Sequence, residues 1–491
     1  SQFQLLLDCI LLPHSLHHLS RKIRNGKKTG TSVFFQSALF GFVFMACFHI
    51  FFLTLTPWAH PLLIGGLWLG YSLILSLYYG VIGWAYVRLR KHSNHILLLP
   101  SLWTIGEWLR SLGQFGNTSG ILGYSQSLNL PVLQSASIWG VFGISFILVL
   151  INVLIFRTAN RTLPKPLKPL IKDAINPIPV LCILLISLYG FGIFQLQKKV
   201  RQPLQEEITV SIVQGNHNQA TKLDPKRWAA IRNDYVSLTR ETLAKESSDI
   251  VFWPETITPA FNLSNGLFKS IIDNLLTQFP DTHLVFGTPY IYRKKIRNAV
   301  ASIKGSRKKT HVYLKTRLMP FGEYFPGKSW LNRTPIKRYL PKNDFHPGSK
   351  VFPLLLDGTS VGTGICLESI YPGFFRSQTR QGAEFLAVLA NNAWFFQSSA
   401  AERHFQMSVL RAVENNRYLV QVANTGISAI ISNAGVIISK SDLNSQQVMT
   451  QKIPLEKAIS IFSGIGYYIP VATAILVLLW IGLTHLKQRK R

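Results

Sequence analysis

The sequence predicts a membrane-embedded bundle of α-helices joined to a separate α/β domain. Hydrophobic residues make up 47% of the chain and charged residues only 15%, which is a low charged fraction for a soluble protein. Long apolar segments crowd the N-terminal part and recur near the C-terminus. Between them, the more polar stretch 197–460 alternates short apolar runs with amphipathic helical patterns, which is typical of helices that cover sheets.

Six apolar segments predict the membrane helices, because a helix needs about 20 apolar residues to span a bilayer. They lie near 34–53, 63–87, 95–112, 132–156, 177–195 and 467–485. The third differs from the others in containing Glu107 and Arg110, which are three apart and can pair on one helix face. Residues 2–12 are too short to span. Since the chain begins at Ser1 without a methionine, we expect N-terminal sequence to be missing.

The distribution of basic residues predicts the orientation. The formal net charge is +30, and much of it lies in short runs beside the apolar segments, at 21–28, 88–91, 157–172 and 487–491. The alternate loops 54–62 and 111–131 contain no Lys or Arg. Cytoplasmic loops are the ones enriched in Lys and Arg, so residues 197–460 fall on the outer side. No nucleic-acid-binding motif accompanies the positive charge.

These features divide the chain into N-terminal membrane helices over 1–196, an outer domain over 197–460 and a last helix with a basic tail over 461–491. Within the outer domain, helical patterns lie near 225–245, 264–279 and 397–417. Strand-like runs occur at 208–214, 249–253, 283–287, 299–304, 310–314, 360–366, 384–390, 418–424 and 427–433. The interval 317–350 is rich in Pro, Gly and aromatic residues without clear periodicity, which is typical of a lid or binding loop.

Three ionisable residues close strand-like runs of the outer domain: Glu255, Lys315 and Cys366. A thiolate is a good nucleophile but needs a nearby base or cation, and a carboxylate and an ammonium supply both. Taken singly, each has a simpler interpretation, as a turn acid, a solvated lysine and a packing cysteine. The other cysteines, Cys9, Cys47 and Cys182, lie in or near apolar runs, and no Cys/His spacing predicts a metal site or a disulfide framework.

The order Glu, Lys, Cys at three strand ends resembles the triad of the nitrilase superfamily of carbon–nitrogen hydrolases. Further motifs narrow the resemblance to the apolipoprotein N-acyltransferase family. In the outer domain they are Leu318-Met319-Pro320-Phe321-Gly322-Glu323-Tyr324-Phe325-Pro326, Asn391-Asn392-Ala393-Trp394-Phe395, His404-Phe405-Gln406-Met407, Arg411-Ala412-Val413-Glu414 and Asn424-Thr425-Gly426-Ile427-Ser428. In the membrane part they are Trp103-Thr104-Ile105-Gly106-Glu107-Trp108-Leu109-Arg110 and Gly123-Tyr124-Ser125-Gln126.

The resemblance implies a membrane bundle that carries a nitrilase-like αββα sandwich. It implies ping-pong acyl transfer with Cys366 as nucleophile, Glu255 as the base and Lys315 as the oxyanion stabiliser. Supporting positions, for which structural hydrogen bonding or core packing are the alternatives, are Glu323, Glu368, Asn298 and Trp394. No cofactor or metal is implied. The implied donor is phosphatidylethanolamine or a related phospholipid, and the implied acceptor is the α-amine of a diacylated apolipoprotein.

The family also implies a bacterial inner-membrane location with the catalytic domain on the periplasmic side. We expect a monomer and no nucleic-acid partner. The chain departs from the family pattern at Leu367, at Leu223 and in the run Asn391-Asn392-Ala393-Trp394-Phe395-Phe396. From the resemblance we expect the family's first helix to be missing here and its second to be at most a stub in residues 2–19. Apolar lid candidates that would keep water from a thioester are Phe321, Tyr324, Phe325 and Trp330.

Two rival hypotheses remain at this stage. A membrane-tethered nitrilase-type amidase would keep Glu255, Lys315 and Cys366 but has no need of six spans. A catalytically silent membrane scaffold is possible in principle, although three intact ionisable residues argue against it.

Overall fold

The computed structural model describes residues 30–90, 96–162, 176–201, 206–259, 265–305, 307–333, 344–396 and 398–489. The predicted stub in residues 2–19, the basic run 21–28 and residues 163–172 of the third basic segment lie outside this set. The chain forms two compact units. One comprises residues up to Arg201 together with those from Ile465, and the other is Gln202–Gly464.

The first unit is helical. Its helices are α1 (Gly30–Phe48), α2 (Pro61–Arg90), α3 (Leu98–Ser111), α4 (Leu130–Leu133), α5 (Ala136–Thr162), α6 (Pro177–Val200) and, at the other end of the chain, the helix Tyr468–Arg489. Short 3₁₀ turns cover Ile50–Leu55 and Leu122–Gln126. Among the residues that the structure describes, four helices are long and apolar enough to cross a membrane: Gly30–Phe48, Pro61–Arg90, Ala136–Ala159 and Pro177–Val200.

The two faces of helix α1 have different surroundings. Phe35, Leu39 and Val43 recur at every fourth position and point outward, with more than half of each side chain exposed. Such a stripe is unfavourable in water and suits a lipid environment. The opposite face carries Gly41, where an added Cβ would lie 2.5 Å from the ring of Tyr79 in α2. The glycine therefore allows the close approach of these two helices.

The predicted span 95–112 forms a shorter helix. Helix α3 has 14 residues and ends where Leu112 turns extended, so it falls short of the length a span needs. Glu107 accepts hydrogen bonds from the Trp103 indole (2.9 Å) and the Leu122 amide (2.8 Å). Arg110 donates to the Ser119 carbonyl (2.6 Å). These contacts tie the helix to the turn that follows it, so the two charges act in packing this part of the chain.

The second unit contains two six-stranded sheets. The first sheet has the order β12-β1-β2-β3-β4-β5 and the second β11-β10-β9-β8-β7-β6. The strands are β1 (Glu207–Gln214), β2 (Ile250–Trp253), β3 (His283–Tyr292), β4 (Lys295–Lys304), β5 (Arg307–Leu314), β6 (Leu354–Leu356), β7 (Thr359–Ile365), β8 (Phe385–Ala390), β9 (Leu419–Ala423), β10 (Ala429–Ile431), β11 (Ile437–Lys440) and β12 (Gln447–Pro454).

The helices of this unit are α7 (Gln219–Leu223), α8 (Trp228–Lys245), α9 (Gly266–Thr277), α10 (Lys328–Leu331), α11 (Pro372–Arg380), α12 (Ser399–Asn415) and α13 (Ile461–Ile465). Short 3₁₀ turns cover Pro225–Arg227, Cys366–Ile370 and Asn392–Phe395. Helices α8 and α9 cover the first sheet, while α11 and α12 cover β7 and β9 of the second.

Alternation along β2 shows how the layers stack. Val251 and Trp253 belong to the core between the first sheet and its helices. Phe252 points to the other face, where its ring meets that of Phe385 in β8 edge to face at 6.3 Å. Successive strand residues point to opposite faces, so a fully apolar strand is buried on both sides. The unit is therefore a four-layer αββα sandwich, as predicted.

The predicted strands all correspond to observed ones within a few residues at most ends. One boundary matters: β7 ends at Ile365, and Cys366 begins the following turn instead of completing the strand. Strands β6, β11 and β12, helix α11 and the short helices α7, α10 and α13 were not predicted. Strand β12 pairs antiparallel with β1, more than 230 residues away in the chain, and such distant pairing leaves no local signal in the sequence.

Candidate active site

The three ionisable residues predicted at strand ends meet because of the strand directions. Strand β2 is parallel to β3, and β5 runs in the same direction because two antiparallel pairings separate it from β3. Glu255, just after β2, and Lys315, just after β5, therefore lie at one edge of the first sheet. Cys366 follows β7 in the second sheet, beside the end of its parallel neighbour β8. The charges of Glu255 and Lys315 both act on the Cys366 thiol.

Lys315 is paired with two carboxylates. Its Nζ lies 2.9 Å from Glu323 Oε2 and 3.3 Å from Glu255 Oε1, and the side chain is only 2% exposed. Burial alone would lower the pKa of Lys315, but Glu323 and then Glu255 outweigh it, so its pKa is raised. Lys315 is therefore held as a cation at all ordinary pH values.

Asn298 joins the same two carboxylates. Its Nδ2 donates to Glu255 Oε1 (2.8 Å) and to Glu323 Oε1 (2.7 Å). The residue lies in β4, and its carbonyl accepts the backbone N–H of Lys315 (2.9 Å). A second bond fixes Glu323, whose Oε2 accepts the Met319 amide (2.8 Å). The predicted supporting positions Asn298 and Glu323 thus lie in direct contact with the predicted base and cation.

The remaining oxygen of Glu255 is held from the second sheet. Its Oε2 accepts the backbone N–H of Asn391 (3.0 Å), the first residue after β8. Gly287 in β3 permits this position, because an added Cβ would lie 2.5 Å from the Glu255 Cα. The carboxylate is thus fixed through both oxygens by groups that are far apart in sequence.

Cys366 is held in an unusual backbone conformation. Its φ is 48°, in the left-handed region that non-glycine residues rarely adopt and that often occurs at functional turns. Burial and, to a smaller extent, the Glu255 charge raise the pKa of the Cys366 thiol to about 12, although Lys315 and the Asn391 amide act in the opposite sense. The resting residue is therefore a thiol that needs a proton acceptor before it can act as a nucleophile.

Glu368 binds the turn that carries Cys366. Its Oε2 accepts the backbone N–H of Ile365 (3.0 Å). Its Oε1 accepts from the end of β5, from Tyr313 Oη (2.7 Å), Thr316 N (2.7 Å), Thr316 Oγ1 (2.8 Å) and Arg317 N (3.2 Å). Burial raises the pKa of Glu368, although Lys315 and these donors oppose the rise. The Glu368 carboxylate thus links the end of β5, next to Lys315, to the end of β7, next to Cys366.

Comparison with known proteins identifies the family of the chain. The Carbon-nitrogen hydrolase family matches residues 209–461, and the Apolipoprotein N-acyltransferase N-terminal domain matches residues 10–154. An apolipoprotein N-acyltransferase of Geobacter metallireducens is 32% identical over 414 residues, 80% of this chain and 75% of that protein. One of Coxiella burnetii is 29% identical over 371 residues, 75% of this chain and 73% of that protein.

The chain belongs to the apolipoprotein N-acyltransferase family. The predicted resemblance and the nitrilase-like fold class are thereby confirmed. Among solved structures, a CN-hydrolase superfamily protein of Xanthomonas campestris matches 50% of this chain and 91% of its own, with a TM-score of 0.39 and 20% identity.

The loop after Lys315 contains several aromatic residues. Phe321 is 51% exposed and Trp330 67%, while Tyr324 and Phe325 are half-buried. The rings of Phe321 and Phe325 meet edge to face at 5.1 Å. Trp394 is 38% exposed, which excludes the alternative that it is a fully buried core aromatic.

The sequence interpretation missed several groups around the candidate site. The Asn391 side chain donates to Gln219 Oε1 of α7 (3.1 Å), and Lys222 of the same short helix is buried. His404 Nε2 lies 2.7 Å from Ser369 Oγ and 3.2 Å from the Cys366 carbonyl. Burial lowers the pKa of His404 to about 4, so this histidine is neutral. His404 lies in a sequence motif that supports the family resemblance, whereas no sequence pattern indicated a role for Gln219 or Lys222.

Proposed function

We propose that the chain transfers an acyl chain from a glycerophospholipid, through a thioester on Cys366, to the α-amine of a diacylated apolipoprotein. The observation that carries the proposal is the hydrogen-bonded cluster of Glu255, Asn298, Glu323 and Lys315, in which the three charged residues act on the Cys366 thiol. Membership of the family supplies the substrate classes, and phosphatidylethanolamine or a related phospholipid is the expected donor.

In the first half-reaction, Cys366 Sγ forms a bond to the ester carbonyl carbon of the phospholipid, and Glu255 accepts the thiol proton. The negative charge that develops on the carbonyl oxygen is stabilised by Lys315, a fixed cation in a site of low dielectric constant. Collapse breaks the ester C–O bond. The departing lysophospholipid oxygen takes the proton back from Glu255, and a thioester remains.

In the second half-reaction, the α-amine of the lipoprotein forms a bond to the thioester carbon, and Glu255 accepts a proton from that nitrogen. Collapse breaks the C–S bond, the product is an amide, and Cys366 recovers its proton from Glu255. The Glu255 carboxylate thus accepts and returns a proton in both half-reactions. Its two fixed oxygens support this role, because they keep its orientation constant between the steps.

Transfer to an amine requires that water stay away from the thioester. The half-exposed aromatic residues Phe321, Tyr324, Phe325 and Trp330 support a lid role for the loop after Lys315. Such a lid would favour a bulky apolar substrate and disfavour hydrolysis. Trp394, also half-exposed, is a further candidate for contact with the acyl chain.

The proposed cellular location is the bacterial inner membrane. Four apolar helices and the basic loops of the sequence support a multi-pass protein of the bacterial inner membrane with residues 197–460 on the periplasmic side. We expect a monomer, because no pairing motif stands out in the sequence.

Intact-mass spectrometry after incubation with phosphatidylethanolamine tests the proposal. The native protein should gain one hydroxylamine-labile acyl group, and Cys366→Ala should gain none. A diacylated lipopeptide should then remove the group and become N-acylated. Discharge to free fatty acid alone would favour the amidase-type hydrolase, and absence of any adduct would favour the silent scaffold.

A further inference from the structure

Lys222 is a buried lysine that the proposed mechanism does not use. It lies on the short helix α7, and only 2% of its surface is exposed. Its Nζ has no hydrogen-bond partner among the described residues. Burying an ammonium group is costly unless a negative charge compensates it, so its position calls for a specific explanation.

A chain of hydrogen bonds fixes α7 to the site. The Asn218 side chain caps the helix by accepting the Thr221 amide (2.8 Å), and the Lys222 carbonyl accepts the Trp228 indole N–H (2.9 Å). Gln219 Oε1 accepts a hydrogen bond from the Asn391 side chain. The backbone N–H of the same Asn391 donates to Glu255 Oε2. Lys222 is therefore held in a fixed position relative to the Glu255 carboxylate.

The charge of the site is unbalanced without Lys222. Lys315 contacts two carboxylates, Glu255 and Glu323, so this buried group of three carries more negative than positive charge. Burial lowers the pKa of Lys222 to about 7, and Glu255 is the negative charge that acts against this fall. Below neutral pH, Lys222 therefore supplies a second positive charge to the cluster.

We propose that Lys222 is a positioning residue that holds Glu255 in its ionised form, ready to accept a proton from Cys366. The inference rests on the proposed role of Glu255 as the base. The other titratable groups facing this pair are His217, which follows β1 and is paired with Asp234 of α8, and the cluster members Lys315, Glu323 and Cys366. Lys222 acts through Glu255 and does not itself touch the reacting atoms.

The rate at which Cys366 takes up a hydroxylamine-labile acyl group from phosphatidylethanolamine, followed by intact-mass spectrometry across pH in the detergent-solubilised protein, tests the inference. Wild-type acylation should fall at acidic pH as the base Glu255 takes up a proton. In Lys222→Met the midpoint of that fall should move to higher pH by about one unit, the effect expected for losing one nearby opposite charge. Lys222→Arg should keep the wild-type midpoint.

A matched control is Lys226→Met, which removes the same charge from an exposed position four residues away and should leave the midpoint unchanged. An unchanged midpoint in Lys222→Met, or a shifted one in Lys222→Arg, overturns the inference, provided thermal unfolding shows both variants folded. The two proposals fail differently. Absence of the acyl group on the wild-type protein contradicts the proposed function, whereas a wild-type acyl group that forms with the same acid midpoint in Lys222→Met contradicts only the role of Lys222.

Discussion

Asn298 Nδ2 donates to Glu255 Oε1 and Glu323 Oε1 at 2.8 and 2.7 Å, so one amide holds two carboxylates that also share Lys315. Two like charges this close would repel each other, and the amide and the ammonium between them offset that repulsion. The cluster is a unit, and changing any member should alter the others.

Asn298→Ala tests that unit. The variant removes one hydrogen bond from each of two carboxylates, and a hydrogen bond to a charged group contributes roughly 1.5–3 kcal/mol. We expect the rate of acyl-enzyme formation to fall by roughly 10- to 100-fold, measured by rapid quench and mass spectrometry. Asn433→Ala, at a buried asparagine that instead bonds Glu456, is the matched control. Equal rates in wild type and Asn298→Ala would contradict the expectation.

Glu255→Gln should separate base catalysis from thiol acidity. Acyl-enzyme formation should fall by about 10²–10⁴-fold, because the proton acceptor is lost. Alkylation of Cys366 in alkaline solution should become faster, because the Glu255 charge raises the pKa of that thiol. A residue that merely stabilised the fold would not move the two readouts in opposite directions.

Glu368→Gln tests the residue that binds the turn. A glutamine has only one acceptor oxygen, so it cannot serve both Ile365 N–H and the donors at the end of β5. We expect a loss of stability of roughly 1–3 kcal/mol and slower acylation. The apparent melting temperature and single-turnover rate measure the two effects. Glu384→Gln, which also removes an acceptor of a backbone N–H but away from Cys366, should lower stability without a comparable loss of rate.

Lys222→Met should raise the apparent melting temperature near neutral pH. The pKa of Lys222 is about 7 in the folded protein and about 10.5 when it is exposed. The unfolded chain therefore binds the extra proton between these values, so this lysine destabilises the fold most below about pH 7 and least above about pH 10.5. The gain in Lys222→Met should shrink as pH rises through that window. A lower melting temperature at neutral pH would contradict it.

Local patterns in the sequence predicted much of the architecture. Apolar segments of sufficient length predicted helices such as Gly30–Phe48 and Pro177–Val200, because span length is set by the bilayer. Alternation and apolar runs predicted the strands after which Glu255, Lys315 and Cys366 lie. The exception among the helices is 95–112, where only Leu98–Ser111 is helical and the buried charges bind neighbouring backbone.

The sequence by itself determined the fold class, the family and the three residue types of the candidate site. Only the tertiary structure decided which groups surround them: Asn391 from β8 on Glu255, Glu368 on the strand end of Lys315, and Lys222 buried beside the cluster. Periodicity and motif order are properties of neighbouring residues, and they are visible in one dimension. The charge balance and pKa values of a buried site depend on distances between residues far apart in the chain, which exist only once both sheets have formed.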